Sequence, residues 1–228
     1  MSPPSGVDSR EAWQNSMCWF RTMVLVTTCI AILAVDFQVF PRHFGKTKSY
    51  GHSLMDTGTA AFVFLNGLSD YGAYWRTQAG FQTKARSAHI SIFCVKMPSI
   101  AVILVLGIGR LLYVQFCTSH TNLTEYGVYW NFYITIFCLR VYAASIKRPN
   151  NVTVGISLGI FYQCLLTFTR LEAWILREDY GRRFGLLDQN REGLFQMLGY
   201  FFLYSLTLCY SRIMSLTLLR KNGHLISG

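Results

Sequence analysis

The chain has 228 residues, of which 52% are hydrophobic, 15% aromatic and only 14% charged, with a mean hydropathy of +0.29 and a formal net charge of +10. Soluble domains carry about a quarter charged residues, whereas residues 149–169 and 193–211 hold none at all, and each stretch reaches the about 20 residues that a hydrocarbon core demands. An ordinary soluble domain is thereby excluded. The bases fall in short loops between apolar runs, where topology, lipid phosphate or an anionic substrate accounts for them, so nucleic acid is not an expected partner.

Residues 1–17 read as a polar N-terminal segment. Asp8, Glu11 and Trp13 interrupt it and no small-residue cleavage pattern marks a signal peptide, so the first apolar run is expected to serve as an uncleaved anchor. A multi-span domain is predicted over 18–220, with a short tail at 221–228. The expected architecture is all-α, a polytopic membrane helix bundle of about six transmembrane helices. Lipid tolerates only helices or closed barrels, and the short alternating strands of a barrel are not evident.

The first span covers 18–37. Its uncharged core, 22–35, is too short alone, so Arg21 or Asp36 must be taken in. An arginine can snorkel, whereas the short stem of Asp36 cannot, which puts this carboxylate at the membrane edge. Beyond it Phe37, Phe40 and Phe44 share one helical face, and Pro41 ends the first helix or begins a short second one. A turn lying on the bilayer would sink the three rings into lipid and leave Arg42, His43 and Lys46 to water or a phosphate.

The second span, 53–69, carries Asp56 in its first turn, where Ser53 and Asp56 also read as a capping box. The third runs over 90–114 with Lys96 and Arg110 toward its ends. The fourth, 127–146, includes Arg140, and both Lys96 and Arg140 are taken as snorkelling or topogenic charges. The fifth covers 152–171. The sixth, 193–219, is preceded by Asn190, Arg191 and Glu192, with Asn190 placed as an N-cap and Glu192 as a first-turn acid. Cys18, Cys29, Cys94, Cys117, Cys138, Cys164 and Cys209 form no C-x-x-C and read as small packing residues; no metal site is expected.

Six spans put both termini on one side. That side carries eleven loop bases and the other eight, which makes the terminal side cytoplasmic by the positive-inside rule. The opposite side holds the sequon at Asn122 and gathers Asp36, Arg42, His43, Lys46, Asp56, Glu125, Asn190 and Glu192. Carboxylates at membrane depth are costly, so function is favoured for Asp36, with Lys46 able to keep the acid ionised and fix its geometry. No G-x-S-x-G, H-E-x-x-H or P-loop pattern is present.

The stretch AVDFQVFPRHFGK at 34–46, followed by YGHSLMD at 50–56, FVFLNGL at 62–68, TEYGVYWNF at 124–132, and NREGLF at 190–195 with Gly199 and Tyr200, resembles the glycosylphosphatidylinositol (GPI) inositol acyltransferases, the PIG-W family. His43, Gly45 and Tyr129 depart from that family's usual arginine, alanine and histidine. The resemblance implies a multi-pass endoplasmic-reticulum membrane protein that transfers a fatty acyl group from acyl-CoA to the inositol of glucosaminyl-phosphatidylinositol. It implies Asp36 and Lys46 as catalytic residues. Arg42, His43, Asp56, Trp130, Asn131, Asn190 and Glu192 are the expected substrate-binding residues. No bound cofactor is expected; acyl-CoA, palmitoyl-CoA in particular, enters as co-substrate, and membrane lipids surround the bundle. Two further readings are an inactive or regulatory truncated family member, and a multi-span transporter with Asp36 and Asp56 as an ion site.

Overall fold

A computed structural model describes residues 6–41, 57–78, 89–92, 95–117, 129–146, 152–176 and 185–226. The described residues are almost wholly helical. Eight helices occur among them: α1 (Gly6–Ala34), α2 (Thr57–Gln78), α3 (Ser99–Cys117), α4 (Phe132–Ser145), α5 (Val152–Phe168), α6 (Leu171–Ile175), α7 (Gly185–Gln189) and α8 (Arg191–Ile226). The protein is an all-α membrane bundle. Within it Gln14–Ala34, Ser99–Phe116 and Arg191–Met214 are long and apolar enough to cross a bilayer, and Phe132–Ser145 and Thr153–Phe168 are shorter apolar helices. The remaining expected span corresponds to α2, which has 22 residues but is diluted by Asn66, Asp70 and Arg76.

The chain divides into two compact units, Met1–Asn66 and Gly67–Gly228. In the first, α1 is continuous from Gly6, so residues 6–17, expected as a polar lead-in, form its opening turns. Phe20 meets Phe64 edge-on at 6.2 Å between ring centroids, and a Cβ on Gly58 would touch Thr28 at 3.2 Å, so α1 and the start of α2 run antiparallel in close contact. The hydroxyls of Thr22 and Thr28 donate to the carbonyls of Cys18 and Val24, one turn back, so neither enters lipid unsatisfied. Past Ala34 the helix tightens. The amides of Asp36 and Phe37 donate to Leu33 and Ala34, and that of Phe40 donates to Phe37, each to a carbonyl three residues back. Pro41, which has no N–H to donate, follows this turn.

In the second unit residues 90–92 and 95–98, within the start of the expected third span, instead pair as antiparallel strands β1 (His89–Ile92) and β2 (Val95–Pro98), in register Ile90 to Met97 and Ser91 to Lys96. The physical reason lies in the local sequence. Ile90, Ile92 and Val95 favour strand, and Pro98 disfavours the helical region for Met97, so the helix begins only at Ser99. Lys96 is therefore a strand residue and not a charge within a span. The fifth expected span is likewise interrupted. The Thr169 hydroxyl donates to the Leu165 carbonyl and accepts from the Leu171 amide at 3.2 Å, which separates α5 from α6. Gly185 starts α7 with φ +68°, a left-handed conformation that favours glycine.

Helix α8 is the mast of this unit, about 54 Å long at ~1.5 Å per residue. It packs on α5 through a G-x-x-x-G step, where a Cβ on Gly155 would sit 1.9 Å from the Cβ of Ser205 and one on Gly159 would sit 2.4 Å from the Phe202 ring. On α2, Gly67 admits Thr207 in the same way. Ser205, Thr207 and Ser211 donate to the carbonyls of Phe201, Leu203 and Thr207, so these buried hydroxyls are satisfied inside their own helix. Large apolar side chains point outward instead, among them Phe116, Ile160, Phe168 and Ile213. Cys18, Cys29 and Cys164, expected as packing residues, lie on exposed helix faces.

The glycine contacts separate two kinds of substitution. Gly155→Ala forces α5 off α8 and is expected to destabilise the chain by about 1–3 kcal/mol. Gly199→Ala meets nothing within 4 Å and gains up to about 1 kcal/mol of helix propensity. Thermal unfolding of the two variants in detergent checks the opposite signs.

Candidate functional site

Of the residues expected at the catalytic end, Asp36 stands on the exposed turn immediately after α1. Lys46, Arg42, His43 and Asp56 lie outside the described residues. The other four expected site residues, Trp130, Asn131, Asn190 and Glu192, all belong to the second unit, where the structure gathers them around the junction of α3, α4 and α8.

Asn131 is the N-cap of α4 and is 1% exposed. Its Oδ1 accepts from the Ile134 amide at 3.1 Å and its Nδ2 donates to the Gly107 carbonyl of α3 at 2.9 Å. One side chain thus caps a helix and ties it to its neighbour. Gly107 permits the approach, since a Cβ there would press on Ile134 at 3.1 Å. Asn190 stands just before α8, as an N-cap would, but its reach is long-range. Its Oδ1 accepts from the amides of Tyr129 and Trp130 at 2.9 and 2.8 Å, which fixes the segment entering α4. The Trp130 indole Nε1 donates to Thr135 Oγ1 at 3.0 Å. The indole is consequently held at its backbone and at its far edge.

Behind Asn190, the Arg191 side chain is nearly inaccessible. Its Nη1 donates to Asp188 at 3.0 Å and its Nε to the Ile175 carbonyl at 3.1 Å, with the Glu192 carboxylate 3.6 Å away. The guanidinium lies 5.5 Å from the centre of the Trp174 ring, which in turn meets Phe195 edge-on. A buried charge is tolerated only with such a full set of partners. Arg191 therefore joins the end of α6, α7 and the start of α8.

These supports border an open cavity of about 350 Å³ lined by Leu111, Gln115, Tyr129, Trp130, Ile134, Gln189 and Asn190. Trp130 and Asn190 thus line the cavity, whereas Asn131 and Glu192 are not among its lining residues.

Sequence reasoning missed a second cluster. Arg140, expected to snorkel, instead places Nη1 3.1 Å from both carboxylate oxygens of Asp70, and the Tyr204 hydroxyl donates to Asp70 Oδ2 at 2.8 Å. Tyr142 shares a hydrogen bond with Ser205 at 2.9 Å and stacks on Phe201. The available signal was a carboxylate one residue past the expected end of the second span; α2 in fact continues to Gln78. Asp70 joins α2, α4 and α8 through charge-assisted bonds.

The geometry defines a polytopic membrane bundle with an exposed acid at the end of one apolar helix and an amide-framed cavity in its second unit. The sequence matches the GWT1 family over residues 3–224, and the chain belongs to that family. It is 38% identical over 189 residues to GPI-anchored wall transfer protein 1 of Gibberella zeae, covering 79% of this chain and 37% of that protein. It is 38% identical over 187 residues to the human glucosaminyl-phosphatidylinositol-acyltransferase PIGW, covering 79% and 36%. It is 35% identical over 188 residues to GPI-anchored wall transfer protein 1 of Saccharomyces cerevisiae, covering 79% and 37%. The chain therefore spans under two fifths of the length of these relatives.

Two substitutions test the supports. Asn190→Ala leaves the Tyr129 and Trp130 amides without their acceptor, an expected cost of about 1–3 kcal/mol, and hydrogen exchange at those two amides should accelerate. Asp70→Ala removes the carboxylate partner of Arg140 and Tyr204 at an expected cost of about 1.5–3 kcal/mol. The double variant Asp70→Ala/Arg140→Met should melt higher than Asp70→Ala alone, as read by thermal unfolding.

Proposed function

We propose that this chain is an acyltransferase acting on the inositol of a GPI precursor. In this reading it moves a fatty acyl group from acyl-CoA, palmitoyl-CoA in particular, to glucosaminyl-phosphatidylinositol at the endoplasmic-reticulum membrane. The observation that carries the reading is the family match across residues 3–224, which spans the Asp36 turn. The name of the human relative supplies the reaction class and the acceptor.

The chemistry assigns roles to the site residues. An inositol hydroxyl is a poor nucleophile. The Asp36 carboxylate takes its proton as the oxygen attacks the thioester carbonyl carbon. The resulting oxyanion collapses, the C–S bond breaks, and the coenzyme A thiolate leaves and takes up a proton, giving an inositol ester and free thiol. Lys46 orients Asp36 or stabilises the oxyanion. Arg42 and His43 hold a phosphate of coenzyme A or of the lipid. Asp56, Trp130, Asn131, Asn190 and Glu192 bind or frame the acceptor. The exposure of Asp36 on a hydrogen-bonded turn at the end of an apolar helix suits a base that must meet a lipid headgroup.

The test is complementation of cells that lack inositol acyltransferase, scored by phospholipase C resistance of their GPI lipids. The unaltered chain should restore resistance, and Asp36→Asn should lower it by about a hundredfold or more at equal expression. A stably produced chain that yields no acylated lipid overturns this reading in favour of an inactive or regulatory family member.

A further inference from the structure

We propose that the outer side of the α3–α4 pair, toward the Phe116 end of α3, holds the phosphate of a net-anionic membrane phospholipid on Arg110, Tyr113 and Tyr133. This lipid is not a reactant, and the site stands whether or not the chain transfers an acyl group.

The placement follows from helix geometry. Gly107 meets Ile134, whereas Leu111 and Gln115, further along α3, share the cavity with Tyr129 and Trp130, which precede α4. The two helices are therefore antiparallel. Leu111 and Ile134 both line the cavity. Successive helical residues are set about 100° apart, and in an antiparallel pair one step back from two such positions turns both side chains to the same side. Arg110 and Tyr133 thus leave the cavity together, on the opposite side of the pair, and both are exposed. The Tyr133 stem lies close to α3, since a Cβ on Gly107 would sit 3.5 Å from the Tyr133 Cβ. Tyr113, one turn past Arg110, is exposed as well.

This face offers donors and no acid. Among the described residues none of the three side chains has a hydrogen-bond or ion-pair partner, and neither α3 nor α4 contains an aspartate or glutamate. Arg110 lies inside the Ser99–Phe116 span, six residues from its end, or about 9 Å along the axis. A guanidinium without a counter-charge is costly at that depth, and its long stem lets it reach toward the headgroups. Exposed tyrosines mark the level at which a bilayer turns polar. The guanidinium fork fits phosphate oxygens, and the two phenols add donors beside it. Gly109 keeps the approach clear, because a Cβ there meets nothing within 4 Å. A zwitterionic lipid brings its own ammonium to its phosphate, whereas a net-anionic one leaves that charge for Arg110 to neutralise. Leu106, one turn below Arg110, is exposed and apolar, a surface that suits acyl chains and offers nothing to a soluble phosphate.

The experiment uses the whole 228-residue chain in maltoside micelles. It is titrated with phosphatidylglycerol or with phosphatidylcholine of the same chains, neither of which carries inositol, and read by native mass spectrometry. The expected result is a preference for phosphatidylglycerol of about tenfold, the worth of one hydrogen-bonded charge pair. Arg110→Gln should bring that preference close to unity and Arg110→Lys should keep most of it. Tyr133→Phe should lower it about threefold, the worth of one neutral hydrogen bond, and keeps the test valid if Arg110→Gln disturbs folding. Millimolar inorganic phosphate should leave the bound lipid in place. Equal binding of the two lipids by the unaltered chain, a preference that survives Arg110→Gln, or displacement of the lipid by inorganic phosphate overturns the proposal.

Discussion

In lipid, a leucine turned outward is as well solvated as one turned inward, so apolar faces supply little reason for helices to associate. This constraint accounts for the inversion seen here. Trp19, Met23, Ile160 and Phe168 lie open to the surroundings, while the largest fully buried side chains among the described residues are Arg191, Leu139, Asn131, Thr135, Thr207 and Ser205, five of them polar. What remains to hold helices together is close approach and hydrogen bonding. The Gly155–Gly159 face supplies the first by removing side chains from the line of contact with α8. The hydroxyls on α8 make that approach tolerable, because each closes its own hydrogen bond to the preceding turn and brings no unmet donor into the interface.

The same constraint explains why amides occupy the positions they do. A buried carboxamide offers both donor and acceptor without the desolvation cost of a charge. Asn131 uses both functions, one to cap α4 and one to bind α3. Asn190 uses its oxygen twice, across 60 residues of sequence, to fix the chain that enters α4. The cavity adjoins these ties. It lies beside them, bordered by α3, the start of α4 and the residues that lead into α8.

Much of the helical architecture was legible from charge-free runs and their lengths, because a bilayer imposes a length on every element. The failures are informative. Residues 90–98 read as the start of a span, but β-branched residues and Pro98 favour the paired strands at 89–92 and 95–98, and hydropathy is blind to that distinction. Arg140 read as a snorkelling or topogenic base and Asp70 was not singled out, since nothing in one sequence says that positions 70 residues apart meet. The convergence of Trp130 and Asn190 was legible only as two motifs of a family pattern. Their geometry was not, because Asn190 satisfies the local signature of a helix N-cap while its side chain bonds to another helix's approach. Asp36, singled out because a short carboxylate cannot snorkel, stands on the exposed turn just past α1.

The Arg191 cluster gives this arrangement its rigidity. A buried ion pair is seldom a net source of stability compared with apolar residues of the same volume, but its geometry is demanding, and losing one partner strands the other. Arg191 satisfies a carboxylate on α7 and a carbonyl at the end of α6 while lying against the Trp174 ring. Its backbone neighbour is Asn190, whose oxygen holds Trp130. The orientation of the indole that lines the cavity is therefore linked, through one peptide bond and two amide contacts, to a charge with little freedom to shift. The neutrality of the cavity wall has the same origin, because Asp188 and Arg191 are buried against each other beside Gln189 and Asn190. Charge used in this way fixes geometry beside the cavity while leaving its described lining uncharged.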